Sequence, residues 1–143
     1  MGFAEPDFYG QGVGALIIEY GGIKVVLKNV LLIVKDIERS RRFYQDVLGL
    51  MVTADLGRKV LFAGGIVLEE SSPWENALEI SAVYGGNDME LYFETLDVEA
   101  LRERLVASDF HVEFLGGQNE DENEVIRFYD PDRHLVEVRK GRV

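Results

Sequence analysis

The feature that most constrains this chain is an internal repeat. Asp36-Ile37-Glu38 recurs as Asp97-Val98-Glu99, 61 residues further on. Each triplet opens an apolar stripe at helical spacing: Ile37, Phe43, Tyr44, Val47 and Leu48 in the first copy, Val98, Leu101 and Leu105 in the second. An aspartate at such a position caps a helix by accepting from an unpaired backbone N–H, and the nearby glutamate suits the positive end of the helix dipole. Around each helix lie strand-like runs. Residues 29–34 precede the first helix, and 50–53, 59–63 and 66–69 follow it. Residues 89–95 precede the second, and 111–115, 125–129 and 135–139 follow it. The order β-α-β-β-β therefore occurs twice, and a duplicated module predicts two sheets paired around a shared cleft.

The rest of the chain is punctuation. Residues 1–12 hold Gly2, Pro6, Gly10 and Gly12 without periodicity and read as an arm. Strand-like runs at 15–20 and 23–27 flank Gly21-Gly22, a hairpin signal because both glycines tolerate a tight turn. Residues 71–87, with Pro73, Trp74, Gly85 and Gly86, read as a connector. The predicted organisation is an arm with the first hairpin strand over 1–22, then one domain over 23–143, its modules near 23–70 and 88–140. The fold class is α+β: two βαβββ modules pairing into a curved mixed sheet around a cleft, with an N-terminal β-hairpin extension.

Composition narrows the function. The 143 residues include no cysteine, which excludes disulfides, thiolate metal sites and cysteine nucleophiles. Asp and Glu number 26 against 15 Lys and Arg, a net charge of −11. That balance disfavours nucleic acid and anionic membrane surfaces, which need a basic footprint. No apolar run approaches the ~20 residues of a membrane span, and no basic segment precedes an apolar stretch as in a secretory leader. The expectation is a cytoplasmic domain whose partner is a small or cationic ligand, or another protein.

Two stretches carry a resemblance. The run from Val30 to Leu50 contains Phe43-Tyr44 followed by Leu48-Gly49-Leu50, and the run from Arg127 to Glu137 contains Asp130-Pro131-Asp132 ahead of a strand glutamate. Together they resemble the vicinal-oxygen-chelate superfamily of glyoxalase I, bleomycin-resistance proteins and extradiol dioxygenases, over residues 28–140. The resemblance implies four metal-ligand positions on the strands. Those in the first strand of each module lie seven residues before the capping aspartate, at Asn29 and Glu90; those in the last strand match Glu69 and Glu137. No histidine occupies any of them. An all-oxygen set suits Mg²⁺, Mn²⁺ or Ca²⁺ better than Zn²⁺, Ni²⁺ or Fe²⁺. Without an ion, clustered carboxylates repel, and at least one is expected to have a raised pKa and to serve as a proton shuttle, Glu137 or Glu90 in a catalytic reading.

Strand parity supplies an independent view. Glu90, Tyr92 and Glu94 share one face of their strand, and Glu137 and Arg139 share one face of theirs, opposite Val136 and Val138. Arg127 and Tyr129 join the same set. The substrate-binding candidates are Tyr92, Arg127, Trp74 and Tyr129. Each position also has a plainer reading: Glu90 and Glu137 paired with Arg127 or Arg139, Asn29 hydrogen-bonded in its strand, and Trp74 packed on the sheet. His134, three residues from Glu137, points to the opposite face and is a poor ligand for the same ion, as is His111 at a strand start. The acids of residues 120–124 read as a solvated loop. Ser71 and Ser72 lack a His-acid partner nearby.

Two functions follow. One is metal-free binding of a small organic molecule, cationic ones included, in an acidic cleft, the resemblance being to drug-sequestering proteins. The other is a divalent-metal-dependent lyase or dioxygenase-like enzyme acting on an α-keto or vicinal-dioxygen substrate. A homodimer is expected in both.

Overall fold

In the computed structural model, which describes residues 17–20, 22–116, 121 and 123–141, both repeated aspartates cap helices. Asp36 accepts from the backbone N–H of Arg39 at 3.0 Å, and Asp97 from that of Ala100 at 2.9 Å. The elements run β1 (Ile17–Tyr20), β2 (Ile23–Val26), β3 (Val30–Val34), α1 (Ile37–Arg42), β4 (Val52–Asp55), β5 (Lys59–Phe62), β6 (Ile66–Glu70), α2 (Ser71–Leu78), β7 (Glu90–Thr95), α3 (Val98–Ala107), β8 (Phe114–Leu115), β9 (Val125–Tyr129) and β10 (Leu135–Lys140). Two four-stranded mixed sheets result, ordered β3-β6-β5-β4 and β7-β10-β9-β8. In each, the first strand runs parallel to the last and the remaining pairs are antiparallel. The class is α+β, with the same strand order in both modules.

The helix-bearing faces of the two sheets share one core. Leu32, Val34, Val60, Phe62 and Leu68 come from the first sheet, and Leu91, Ile126, Phe128, Val136 and Val138 from the second. Phe43 joins them, meeting Tyr44, Phe110 and Phe128 edge-on at centroid distances of 5.3, 5.2 and 6.2 Å. It can do so because α1 widens into a π-turn over Phe43–Val47, closed by a bond from the Leu48 N–H to the Phe43 carbonyl at 3.1 Å. That extra residue per turn brings Phe43, Tyr44 and Val47 inward together.

The Asp130-Pro131-Asp132 turn ties the modules. Asp132 accepts from the Lys35 N–H at 3.1 Å, the Arg39 guanidinium at 3.0 Å and the Ser40 hydroxyl at 3.1 Å, all from the first module. Asp130 accepts from the Tyr44 hydroxyl at 2.5 Å. Both carboxyl groups are buried, so these bonds satisfy groups that water does not reach.

Three local readings change. Residues 71–78, expected as connector, form α2; Pro73 sits in the first turn, where its missing N–H costs nothing. The strand expected over 111–115 shortens to β8, because His111 adopts a left-handed φ of 52° that breaks the extended run. The helix expected through Leu48 is α-helical only to Arg42. The β1–β2 hairpin pairs Tyr20 with Ile23, leaving a two-residue turn in which Gly22 takes a φ of 81°. The arm over 1–12, Gly21, Glu120 and Glu122 lie outside the described residues. Among those described, no helix is long and apolar enough to cross a membrane.

Candidate functional site

The second sheet sets out a row of side chains across three strands. Register places Tyr92 of β7 beside Glu137 of β10, and Glu137 beside Arg127 of β9. Alternation turns all three away from the core, since their neighbours Leu91, Val136, Val138, Ile126 and Phe128 fill it. Glu137 is only 7% exposed. It accepts from Arg127 Nε at 2.6 Å and from Arg139 Nε at 2.9 Å, so both carboxylate oxygens are engaged. Burial alone would raise its pKa, but the bonds from Arg139 and Arg127 and their charges outweigh burial and hold it below the usual carboxylate range. The raised carboxyl expected of a clustered set is thus not found at Glu137. Tyr92 is exposed and donates to Glu94 at 3.1 Å.

The other candidates sit elsewhere. Glu90 and Tyr129 lie at the two ends of the neighbouring row, on either side of Leu135. The Tyr129 hydroxyl donates to Asn87 at 2.6 Å, and the Arg133 guanidinium stacks 4.2 Å from its ring. Glu69 is on the first sheet beside Lys59, 3.8 Å away. The register pairs Val30 with Ile66, and continuing it back sets Asn29 level with Gly65. The position that corresponds to Glu137 in this sheet is therefore Val67, and Glu69 lies two residues beyond it. Asn29 and Glu69 are four residues apart along the strands, about 13 Å.

Whether these positions could hold an ion follows from that arrangement. Among the described residues, no three His, Asp or Glu side chains stand together as a metal would need. Glu137 spends its oxygens on two guanidiniums, and Glu69 lies beside Lys59, two residues beyond the position that corresponds to Glu137 in its own sheet. The four matched positions, as one chain arranges them, do not fit a metal ion.

Trp74 marks a separate place. It lines a cavity of about 200 Å³ between α2, β3, the segment 82–89 and the turn into β10. Leu31 and Ile33 from β3 and Leu135 from β10 share the lining, so both modules contribute. His134 lines it too, with Nδ1 held 2.7 Å from Asp130. His134 lies in the turn just before β10, and this second environment depends on how the chain folds back on itself. A histidine four residues after an aspartate across a Pro turn was the local signal for it.

The profile of the glyoxalase-like domain family matches residues 27–141. The chain belongs to the glyoxalase-like family. It thereby falls within the vicinal-oxygen-chelate superfamily, in keeping with its two βαβββ modules. Among solved structures, a protein of unknown function from Agrobacterium tumefaciens str. C58 is 35% identical, with a TM-score of 0.68 over 86% of this chain and 98% of its own. A glyoxalase-related enzyme from Fulvimarina pelagi is 20% identical, with a TM-score of 0.62 over 78% of this chain and 85% of its own. The fosfomycin resistance protein FosX from Listeria monocytogenes is 24% identical, with a TM-score of 0.59 over 81% of this chain and 91% of its own. A FosX mutant is known complexed with Mn(II) and 1S,2S-dihydroxypropylphosphonic acid. The last two proteins share the fold with this glyoxalase-like chain. Among curated proteins there is no match.

Proposed function

We propose that this protein binds a small organic molecule, preferentially a cation, on the outer face of its second sheet, without a catalytic transition metal and as a homodimer. The observation that carries the reading is the Arg127–Glu137–Arg139 triad, with contacts of 2.6 and 2.9 Å. A carboxylate held by two guanidiniums must surrender both bonds before it can ligate an ion, and breaking such a buried pair is costly. What remains on that face is Tyr92, 53% exposed, with Glu90 and Glu94 beside it. Three carboxylates against two guanidiniums leave the face acidic, and an exposed aromatic ring offers a cation–π surface.

The dimer is supported by apolar surface on and after β2. Ile23, Val25 and Leu27 on and after β2 are 72%, 77% and 51% exposed, and Leu31 of β3 is 44% exposed. Such a run on one chain is what a self-complementary interface covers. Sedimentation of the full chain, against a chain lacking residues 1–28, tests this part: loss of the dimer on truncation is expected, and a monomeric full chain would refute it.

The binding reading is tested by thermal melting in the presence of cationic aromatic compounds and of Mg²⁺, Mn²⁺, Ni²⁺ and Zn²⁺. Binding to the folded state raises Tm by mass action. At least one organic cation is expected to raise Tm, and Tyr92→Ala to abolish that rise. A rise with a divalent ion alone would favour the metal-dependent lyase or dioxygenase-like alternative.

A further inference from the structure

The cavity beneath Trp74 contains none of the residues of the Tyr92–Glu137–Arg127 row, and its chemistry is different. One part of its wall is apolar, with Leu31, Ile33, Val83, Met89 and Leu135 beside the Trp74 indole, and another is polar, with Tyr84, Asn87, Asp88, Arg133 and His134. Into this lining comes one ordered imidazole. Asp130 holds His134 twice, accepting from its backbone N–H at 2.8 Å and from Nδ1 at 2.7 Å. Asp130 is itself fixed by the Tyr44 hydroxyl at 2.5 Å and the Asp132 N–H at 2.9 Å. A carboxylate can only accept, so Nδ1 carries the proton and a neutral ring leaves its lone pair on Nε2. Nε2 makes no hydrogen bond among the described residues, and it is not shielded from solvent, unlike the Tyr84 hydroxyl. Arg133, at the same wall, is committed to Glu113 at 2.7 Å and to the Tyr129 ring.

We infer that this cavity is a second ligand site, taking a single-ring phenol whose ring lies against Trp74 and whose hydroxyl donates to His134 Nε2. The volume sets the size. A sealed apolar cavity of about 150 Å³ accepts benzene, so this open cleft of about 200 Å³, with Val83 and Met89 exposed at its rim, has room for one ring with a small substituent. The indole and the apolar part of the wall suit an aromatic body, and the imidazole fixed by Asp130 offers an oriented acceptor for a hydroxyl on it. Asp130 is a positioning residue here, setting the ring's tautomer and direction.

The protein's one tryptophan is Trp74 itself, so its emission reports on this cavity alone. Phenol and toluene are titrated, at a pH above the raised His134 pKa so that Nε2 carries its lone pair, into the full chain and into His134→Asn, whose amide nitrogen can still donate to Asp130 while Nε2 is lost. Both rings are expected to change the emission of the native protein. In His134→Asn the ratio of phenol to toluene affinity is expected to fall about tenfold, the worth of one hydrogen bond. Asp88 also reaches the cavity; an unchanged ratio would assign the hydroxyl to it and overturn the inference, as would no emission change with either ring. Ala82→Phe, which fills the cavity and leaves His134 intact, is expected to remove the response to both rings. A response that survives it would also overturn the inference, while failure here leaves the melting test of the outer face untouched.

Discussion

Two acidic clusters lie within a few residues of each other around β10 and do opposite work. Asp130 and Asp132, in the turn before it, are enclosed and reach donors on the other module: Tyr44 for Asp130, beside its local bonds from Asp132 and His134, and Lys35, Arg39 and Ser40 for Asp132. Glu137, on the strand itself, takes its donors from Arg127 and Arg139 of its own sheet and faces outward. The first cluster is a joint between modules, and the second lies within one sheet, on the face turned from the core. The Asp-Pro-Asp turn, which carries much of the sequence resemblance, therefore specifies how two modules meet rather than what the protein does. Family-wide signatures of this kind report the fold, while the chemistry rests on side chains one face away.

The comparison can be broken by substitution. Asp132→Ala should be the most damaging, because it strands a backbone N–H, a hydroxyl and a guanidinium at the module boundary; a loss of about 3–5 kcal/mol in chemical denaturation is expected. A loss below about 1 kcal/mol would show that the turn is not a joint. Tyr44→Phe removes one of Asp130's four donors and should cost about 1–3 kcal/mol. Glu137→Gln should cost about 1–3 kcal/mol too, since a buried carboxylate charge is lost while one acceptor oxygen remains and Arg139, 42% exposed, can turn to water, yet it should alter ligand binding at the outer face where Tyr44→Phe does not.

The smallest effect distinguishes the clusters by sign. Burial alone would lower the His134 pKa, but the hydrogen bond and charge of Asp130, with Asp132, raise it above its ordinary value. Its folded pKa exceeds its unfolded one, so its contribution is complete below about pH 6.5 and fades as pH rises through the raised value. Glu137 behaves oppositely. Its contribution is complete above the ordinary carboxylate range and fades as pH falls through its lowered folded value. The stability gap between native protein and His134→Asn should thus shrink toward alkaline pH, and the gap to Glu137→Gln toward acid. Denaturation curves across that range check both, and a gap moving the other way would reject the corresponding pairing.

Much of the fold could be read from local chemistry. The two capping aspartates, the strand runs and the Gly22 turn all follow from short-range preferences and hydrophobic period. α2 escaped because it has no side-chain cap and no buried face, so neither signal marks it. The site was harder for a geometric reason. That Arg139 shares a face with Glu137 is visible in strand parity, but the approach of Arg127 depends on the antiparallel register, which no single strand encodes. Glu69 matches by its place in the last strand of the first module, and only the pairing of β3 with β6 shows Val67 at the corresponding level. The Asp130–His134 pair spans one turn, but its cavity needs β3 and α2 to close around it.

The central claim is that Glu137 serves an ion triad and not a metal. Calorimetric titration of the full-length protein with Mn²⁺, alongside elemental analysis of the protein as purified, tests it most directly. The account predicts no saturable heat and no stoichiometric Ni, Zn, Fe or Mn. One ion per chain, bound saturably and lost in Glu137→Gln, would contradict it.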